Sequence, residues 1–361
     1  MRPLPTDSHF VVTGGAGYIG SHAAMRLLDL GHRVTVVDSL ARGHRGAVAA
    51  LAAAGGDRFR FEETDLRDTA RVSAILQAAP VDAVLHFAAL AYVGESVEEP
   101  LAYYACNTGG GLSLLVAMRE AGVRRIIFSS TCATYGEPDA AHIPIAEGVP
   151  QRPINPYGRS KLHFEEILRD EAARPWVESA RPRVESARRG DAPLGAVALR
   201  YFNVAGCDAR GRLGEDHRPE SHLIPIALEV ALGKRDAMRI FGEDYPTPDG
   251  TCIRDYVHVE DLVDAHVAAL GAIEPGRVRA WNIGIGRGYS VREVLEACRR
   301  VTGHPIPAIA APRRAGDPPV LFADAAAARR DLGFAPRWTD LDETVRSAWT
   351  WMRAHPSGYA D

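Results

Sequence analysis

The sequence predicts an α/β protein built on a Rossmann-type, doubly wound parallel sheet, with a smaller mixed α/β lobe attached. Short apolar runs rich in β-branched residues alternate with longer segments whose apolar residues recur at helical spacing. Such alternation is typical of a parallel sheet covered by helices on both faces. A glycine-rich turn after the first run and an acidic residue ending the second run are the other two observations.

The predicted elements alternate along the chain in the order that this fold requires. The apolar runs predict strands at Phe10–Thr13, Arg33–Val37, Phe59–Phe61, Ala83–Phe87, Ile126–Ser129 and Ala196–Phe202. The segments with helical spacing predict helices at Tyr18–Leu30, Ala70–Ala79, Leu101–Ala121 and Tyr157–Ala173.

Glycine, proline and charged residues become frequent after about residue 204, where the apolar segments also shorten. We therefore expect residues 1–204 to form the sheet domain, and residues 205–253 and 286–361 to form a second lobe. The stretch Arg254–Leu270 returns to a strand-then-helix pattern, so we expect residues 254–285 to pack back on the sheet domain. A duplicated heptad, 174–180 followed by 181–187, lengthens a predicted surface connection, where insertions cost little free energy.

Composition narrows the classes of function. The net charge is −4, from 42 basic and 46 acidic residues, so no nucleic-acid partner is expected. Neither a membrane span nor an apolar leader is predicted, because no apolar run is long enough and Met1–His9 is not apolar. The five scattered cysteines indicate free thiols and a cytoplasmic location. No His, Cys and carboxylate set has the spacing typical of a metal site, so we expect none.

The glycine-rich turn comprises Gly14, Gly17 and Gly20, between the first predicted strand and helix. This spacing lets the backbone turn tightly and approach a pyrophosphate, which the start of the following helix would attract. Asp38 ends the second strand, 18 residues after Gly20. A carboxylate there binds ribose hydroxyls and repels a 2′-phosphate, so the predicted cofactor is NAD rather than NADP.

Tyr157 and Lys161 lie four residues apart, on one face of a predicted helix. A nearby ammonium favours the phenolate and makes a tyrosine a better base at neutral pH. The predicted strand that ends at Ser129 leads to Thr131, which would carry a hydroxyl to the carboxyl edge of the sheet. Ligands of such folds bind at this edge.

Taken together, these residues resemble the extended short-chain dehydrogenase/reductase family and, within it, the UDP-glucose 4-epimerases. The resemblance covers nearly the whole chain. Its most specific segments are Val93–Ser96, Tyr201–Asn203, Asp244–Thr247, Asp249–His258 and Ala311–Asp317.

The resemblance implies NAD-dependent inversion of C4 in a UDP-hexose through a 4-keto intermediate. Tyr157 would be the base, Lys161 would hold the nicotinamide ribose, and Thr131 would hydrogen-bond the 4-oxygen. Further cofactor-lining positions are implied at Tyr18, Ile19, Asp65, Leu66, Phe87 and Ala88. Positions that hold the UDP are implied at Asn203, Leu223, Phe241, Arg254, Arg314 and Asp317. A homodimer is also implied.

Three positions depart from the family pattern. Ala91 stands where a lysine is frequent, and His222 stands where an asparagine lies near the UDP. Leu321 stands where some members have a tyrosine beside C2 of the hexose. The smaller Leu321 predicts room for a 2-acetamido group, and hence activity on UDP-N-acetylglucosamine.

Three rival functions share parts of this pattern. A sugar-nucleotide 4,6-dehydratase needs an acid–base pair where this chain has Cys132 and Ala133, neither of which can transfer a proton in that role. A UDP-pentose or UDP-uronate 4-epimerase stays open. An NAD-sensing regulatory protein on the same fold is disfavoured, because such sensors usually lose the tyrosine or lysine that this chain keeps.

Overall fold

The computed structural model describes residues 6–174, 192–314 and 317–360. Apart from Arg174, the duplicated heptads lie outside these ranges, so the surface connection predicted there has no structural account.

The strands are numbered in chain order. They are β1 (His9–Thr13), β2 (Arg33–Asp38), β3 (Phe59–Glu63), β4 (Ala83–His86), β5 (Arg125–Ser129), β6 (Gly195–Tyr201), β7 (Asn203–Ala205), β8 (Met238–Phe241), β9 (Ile253–Arg254), β10 (Tyr256–His258), β11 (Val278–Ile283), β12 (Tyr289–Ser290), β13 (Ala308–Ala311) and β14 (Val320–Leu321).

The α-helices are numbered in the same way. They are α1 (Tyr18–Asp29), α2 (Arg45–Gly55), α3 (Thr69–Gln77), α4 (Val93–Glu98), α5 (Pro100–Tyr103), α6 (Gly110–Ala121), α7 (Pro156–Ala173), α8 (Leu223–Ala231), α9 (Val259–Leu270), α10 (Val291–Thr302), α11 (Ala326–Leu332) and α12 (Leu341–Ala354). Within the described ranges, no helix is both long enough and apolar enough to cross a membrane.

Seven strands form one sheet in the order β11-β6-β5-β4-β1-β2-β3, and every neighbouring pair is parallel. The predicted Rossmann-type fold is therefore confirmed. The direction of chain progression reverses between β1 and β4, and the crevice at such a point is where these folds bind ligands.

Side chains of the central strands alternate between two apolar cores, as the pleat of a strand requires. In β1, Phe10 and Val12 face the core that includes α1, α2 and α9, whereas Val11 faces the core that includes α3, α6 and α7. Both faces of the central strands are buried, which explains why these strands are mostly apolar, whereas the edge strand β3 is partly exposed and carries charged residues.

The predicted helix Leu101–Ala121 is not one continuous α-helix. It is divided into α5, a π-helical turn at Tyr104–Gly109, and α6. The side chain of Asn107 in this turn accepts a hydrogen bond from Leu90 N (2.8 Å) and donates to Leu90 O (3.0 Å) and Ser160 Oγ (2.9 Å). The turn therefore brings an amide group to the loop after β4 and to α7, a use typical of π-bulges.

Beyond β6, the chain forms three small sheets: β10 with β7, β12 with β9 and β14, and β13 with β8. Strand β11 returns to the central sheet beside β6, and α9 packs on α1. The predicted domain boundaries at residues 204, 253 and 285 stay a prediction.

A buried ion pair joins α7 to β6. Glu165 Oε2 lies 2.6 Å from Arg200 Nη2, and the two side chains are 0% and 4% exposed. Glu165 Oε1 also accepts from Ser130 Oγ (2.7 Å), and Arg200 Nη1 donates to Tyr135 Oη (2.8 Å). Burial alone would raise the pKa of Glu165, but the hydrogen bonds and charge of Arg200 hold it below its ordinary value. The pair thus locks the helix of Tyr157 onto the sheet.

We predict that Arg200→Met lowers the free energy of unfolding by about 3–5 kcal/mol, because it leaves Glu165 charged and buried. Arg169 provides a matched control: it binds the same carboxylate at 2.8 Å, but its side chain is 42% exposed. Arg169→Met should cost no more than about 1 kcal/mol. Urea denaturation measures both, and equal losses would contradict this ranking.

Candidate active site

The glycine turn after β1 is held by contacts that leave no room for side chains. Gly14 has φ +72°, and a Cβ on it would lie 2.5 Å from Ala88 N; a Cβ on Gly20 would overlap Gly14 O. Gly17 differs, since its Cβ would meet only Gly14 O, at 3.4 Å. The turn is therefore packed against the loop after β4 and open beside Gly17.

The start of α1 offers free hydrogen-bond donors. Gly17 is the N-cap residue, no side chain caps the helix, and no acidic residue lies in its first turn. The first amide groups of a helix lack partners within it and form the positive end of its dipole. This end of α1 therefore fits a pyrophosphate.

Asp38 is held rigidly at the end of β2. Its Oδ2 accepts from Ala16 N (3.0 Å) and its Oδ1 accepts from Leu40 N (2.8 Å). Burial raises the pKa of Asp38, while these two N–H groups oppose the rise. A carboxylate beside the glycine turn fits an adenosine ribose and not a 2′-phosphate.

The other predicted cofactor-lining residues follow the carboxyl ends of three strands of the central sheet. Tyr18 and Ile19 begin α1 after β1, Asp65 and Leu66 follow β3, and Phe87 and Ala88 follow β4. Their chain positions therefore line the same edge of the sheet as the glycine turn and Asp38.

The proposed catalytic pair is buried at this edge. Tyr157 is 8% exposed and Lys161 is 3% exposed, both on α7. Lys161 Nζ donates to Ser129 O (2.9 Å) and lies 6.0 Å from the ring centre of Tyr157. Burial lowers the pKa of Lys161 to about 8. Burial raises the pKa of Tyr157, and nearby Tyr201 adds to this effect.

Thr131 connects β5 to Tyr157. It is 6% exposed, follows β5 and caps a short 3₁₀ turn by accepting from Ala133 N (3.1 Å). Its side chain also acts on Tyr157 and lowers the pKa of the phenol against the effect of burial. Thr131, Tyr157 and Lys161 thus form one cluster.

The residues predicted to hold a UDP all follow β6 in the chain. Arg254 forms an ion pair with Asp317, and its Nη1 donates to Ile253 O (2.7 Å). The guanidinium of Arg314 lies 4.1 Å from the ring centre of Phe241. Arg254, Arg314 and Asp317 all act on the pKa of one thiol, Cys252, so these charged groups share one region.

Leu321 and Arg254 connect this region to the catalytic cluster. Leu321 pairs with Arg254 between β14 and β9, and it belongs to a small core that includes Phe202 and Cys132. Cys132 directly follows Thr131. Asn203, another residue predicted to hold the UDP, donates a hydrogen bond from its backbone N to Asp255 O (3.0 Å), next to Arg254. Leu223 begins α8 and packs on the main core.

The sequence analysis did not identify the residues whose hydrogen bonds position Tyr157 and Lys161. Asn107 bonds Ser160, whose hydroxyl donates to Tyr157 O (2.8 Å). Tyr201 Oη and Ser129 Oγ are 2.6 Å apart, which fixes the strand that binds Lys161. Glu165 could have been suspected, because it lies four residues after Lys161 on the same helical face.

Known proteins resemble this chain over most of its length. A model of the NAD dependent epimerase/dehydratase family matches residues 10–284. The chain is similar to the UDP-glucose 4-epimerase of Halalkalibacterium halodurans, with 47% identity over 351 residues, which is 97% of each protein. It is also similar to the probable UDP-arabinose 4-epimerase 1 of Oryza sativa subsp. japonica, with 46% identity over 98% of this chain and 82% of that protein.

Solved structures give the same result. The UDP-glucose 4-epimerase from Bifidobacterium longum, in complex with NAD+ and UDP, superposes with a TM-score of 0.87 at 38% identity. The match covers 98% of this chain and 100% of that one.

Proposed function

This chain belongs to the NAD dependent epimerase/dehydratase family, and we propose that it inverts C4 of a UDP-hexose, interconverting UDP-galactose and UDP-glucose. The family and the cofactor NAD are those that the sequence motifs predict. The observation that carries the proposal is the cluster of Thr131, Tyr157 and Lys161 at the sheet edge that also bears the glycine turn.

The glycine turn fits NAD, because Gly14 and Gly20 stand where any side chain would overlap the backbone. Bound NAD supplies a reversible acceptor for the hydride of the sugar C4. Gly17 and the start of α1 would hold its pyrophosphate, Asp38 its adenosine ribose and Lys161 its second ribose.

Tyr157 would remove the proton from the 4-hydroxyl and later return one to the 4-oxygen. Its burial opposes the phenolate, so positive charge close to the ring is needed to make it a base near neutral pH. Lys161 carries such a charge, and the Thr131 hydroxyl stabilises the phenolate further. Thr131 would also donate to the sugar oxygen as negative charge develops there.

Arg254 and Arg314 would bind the diphosphate, since a guanidinium matches its oxygens with two donors. Asp317 orients Arg254 by pairing with it, and Phe241 supports Arg314 from beneath. Inversion requires the keto sugar to turn over, so the nucleotide must stay bound while the sugar moves. Strong contacts to the UDP and weak contacts to the sugar meet this requirement.

A UDP-pentose 4-epimerase is the alternative with a specific observation in its favour, namely the 46% identity to the probable UDP-arabinose 4-epimerase. Both readings use the same Tyr157 and Lys161, so they differ only in the sugar. Comparing turnover of UDP-galactose and UDP-arabinose by the purified protein decides between them. No turnover of any UDP-sugar would favour an NAD-sensing protein instead.

We predict that Tyr157→Phe lowers turnover of UDP-galactose by about 10²–10⁴-fold, because it removes the base and keeps the ring. Tyr104→Phe is the matched control, since Tyr104 stacks on His163 outside the catalytic cluster. Formation of UDP-glucose, measured by chromatography, reports both. Thr131→Val should cost less than Tyr157→Phe; the reverse order would assign the base elsewhere.

We also propose that the pocket accepts a 2-acetamido sugar. The support is Leu321, whose side chain lies in the small core beside Cys132 and so next to the catalytic cluster. Leu321→Tyr should abolish turnover of UDP-N-acetylglucosamine while retaining that of UDP-galactose, because cores respond to small changes in volume. Absence of acetamido activity in the wild-type enzyme would refute the proposal.

A cytoplasmic homodimer is proposed as well. The five cysteines are free thiols, which fits a reducing compartment. Val97, Leu101, Leu112 and Val116 on α4–α6 are 63%, 81%, 51% and 36% exposed, and such an apolar patch fits a subunit interface. Light scattering should give twice the chain mass of 39.0 kDa, and Leu112→Glu should yield monomers. Ile309→Glu, at a site on β13 that is 59% exposed, should leave the dimer intact.

A further inference from the structure

Four side chains capable of binding a metal converge in the segment that leads into α8. They are Glu215, His217, Glu220 and His222, and one candidate ligand atom from each lies within 4.8 Å of the other three. Their spacing is not one of the common zinc motifs, which is why the sequence predicts no metal site. The fold of the segment brings them together.

Three of the separations between these atoms match those in a tetrahedral site, and the fourth is a hydrogen bond between His222 and Glu220. Glu215 Oε1 lies 3.4 Å from Nδ1 of His217 and 3.4 Å from Nδ1 of His222. Glu220 Oε2 lies 3.4 Å from His217 Nδ1, and Glu220 Oε1 lies 2.8 Å from His222 Nδ1. Bonds of about 2.0–2.1 Å to a tetrahedral Zn²⁺ place neighbouring ligand atoms about 3.3–3.4 Å apart.

Two of these atoms, Glu215 Oε1 and His217 Nδ1, are buried and form no hydrogen bond, only ion-pair contacts at 3.4 Å. The Glu215 side chain is 4% exposed and points into the cluster. Buried polar atoms are nearly always satisfied, so each exception requires an explanation, and an ion is one of them. A divalent cation would satisfy both atoms and neutralise the two carboxylates.

The surrounding groups orient the ligands. Glu220 Oε1 accepts from the backbone N of Ser221 and of His222, both at 2.7 Å, which leaves its Oε2 directed at His217. The His217 ring contacts Tyr18 and Tyr92, each at 6.0 Å between ring centres. Such outer contacts are typical of metal sites, where they fix the orientation of the ligands.

We propose that Glu215, His217, Glu220 and His222 bind one divalent transition-metal ion, with Zn²⁺ as the best fit. Two imidazole nitrogens disfavour Ca²⁺ and Mg²⁺, which prefer oxygen ligands. Four protein ligands fill a tetrahedral shell, so the site is structural and leaves no position for a substrate. The ion would fasten the segment before α8 beside Tyr18, at the start of α1. This inference does not depend on the proposed epimerase activity.

The test uses tag-free wild-type protein, stripped with a chelator and then dialysed against Zn²⁺. We expect one zinc ion per chain by mass spectrometry, and a thermal midpoint that rises with Zn²⁺ and falls again with chelator. Co²⁺ in place of Zn²⁺ should give the intense visible bands of a tetrahedral complex. A wild-type protein that binds no Zn²⁺ would overturn the proposal and leave the cluster as paired histidine and glutamate charges.

His217→Gln and Glu220→Gln should each weaken Zn²⁺ binding by at least about 10–100-fold, the loss seen even when only an outer contact is removed. His304→Gln is the control, because His304 is exposed and lies outside the cluster. Circular dichroism checks that the variants fold; if they do not, the wild-type stoichiometry and Co²⁺ spectrum still decide. Undiminished binding by folded variants would overturn the proposal.

Discussion

The ion pair of Glu165 with Arg200 is the contact on which the geometry of the catalytic helix depends. A charge buried to this extent must be paired, so α7 has only one position in which Glu165 meets Arg200 of β6. Tyr157 and Lys161 lie two turns and one turn before Glu165 on the same helix. Their distance from Thr131 therefore follows from a contact made away from the reacting sugar.

Ser130 extends this constraint to the other side of the site. Its hydroxyl binds Glu165, the carbonyl of Ser129 binds Lys161, and Thr131 lowers the pKa of Tyr157. Three successive residues at the end of β5 thus act on three residues of one helix. A shift of the strand against α7 would disturb all three interactions together, which makes the arrangement rigid before any ligand binds. Preorganised donors of this kind are the main source of electrostatic catalysis.

The two halves of the site obey different physical constraints. The cofactor side is defined by backbone atoms in close contact, as at Gly14 and Gly20, and admits little variation in side-chain size. The side proposed to bind the UDP is defined by long charged side chains, Arg254 and Arg314, which are held by a carboxylate and an aromatic ring. Differences in substrate between family members therefore arise more readily on the second side, where Leu321 lies.

The sequence by itself determined the fold class, the glycine turn, Asp38 and the pair Tyr157–Lys161, because each is a local pattern with a fixed spacing. The periodicity of apolar residues and the spacing of motif residues are properties of the sequence itself, so they can be recognised without coordinates. The π turn at Asn107, the ion pair of Glu165 with Arg200 and the convergence of Glu215, His217, Glu220 and His222 were decided only by tertiary structure. The first two depend on contacts between residues 17 to 53 positions apart, and the third on how an irregular segment folds back on itself. No periodicity records such contacts.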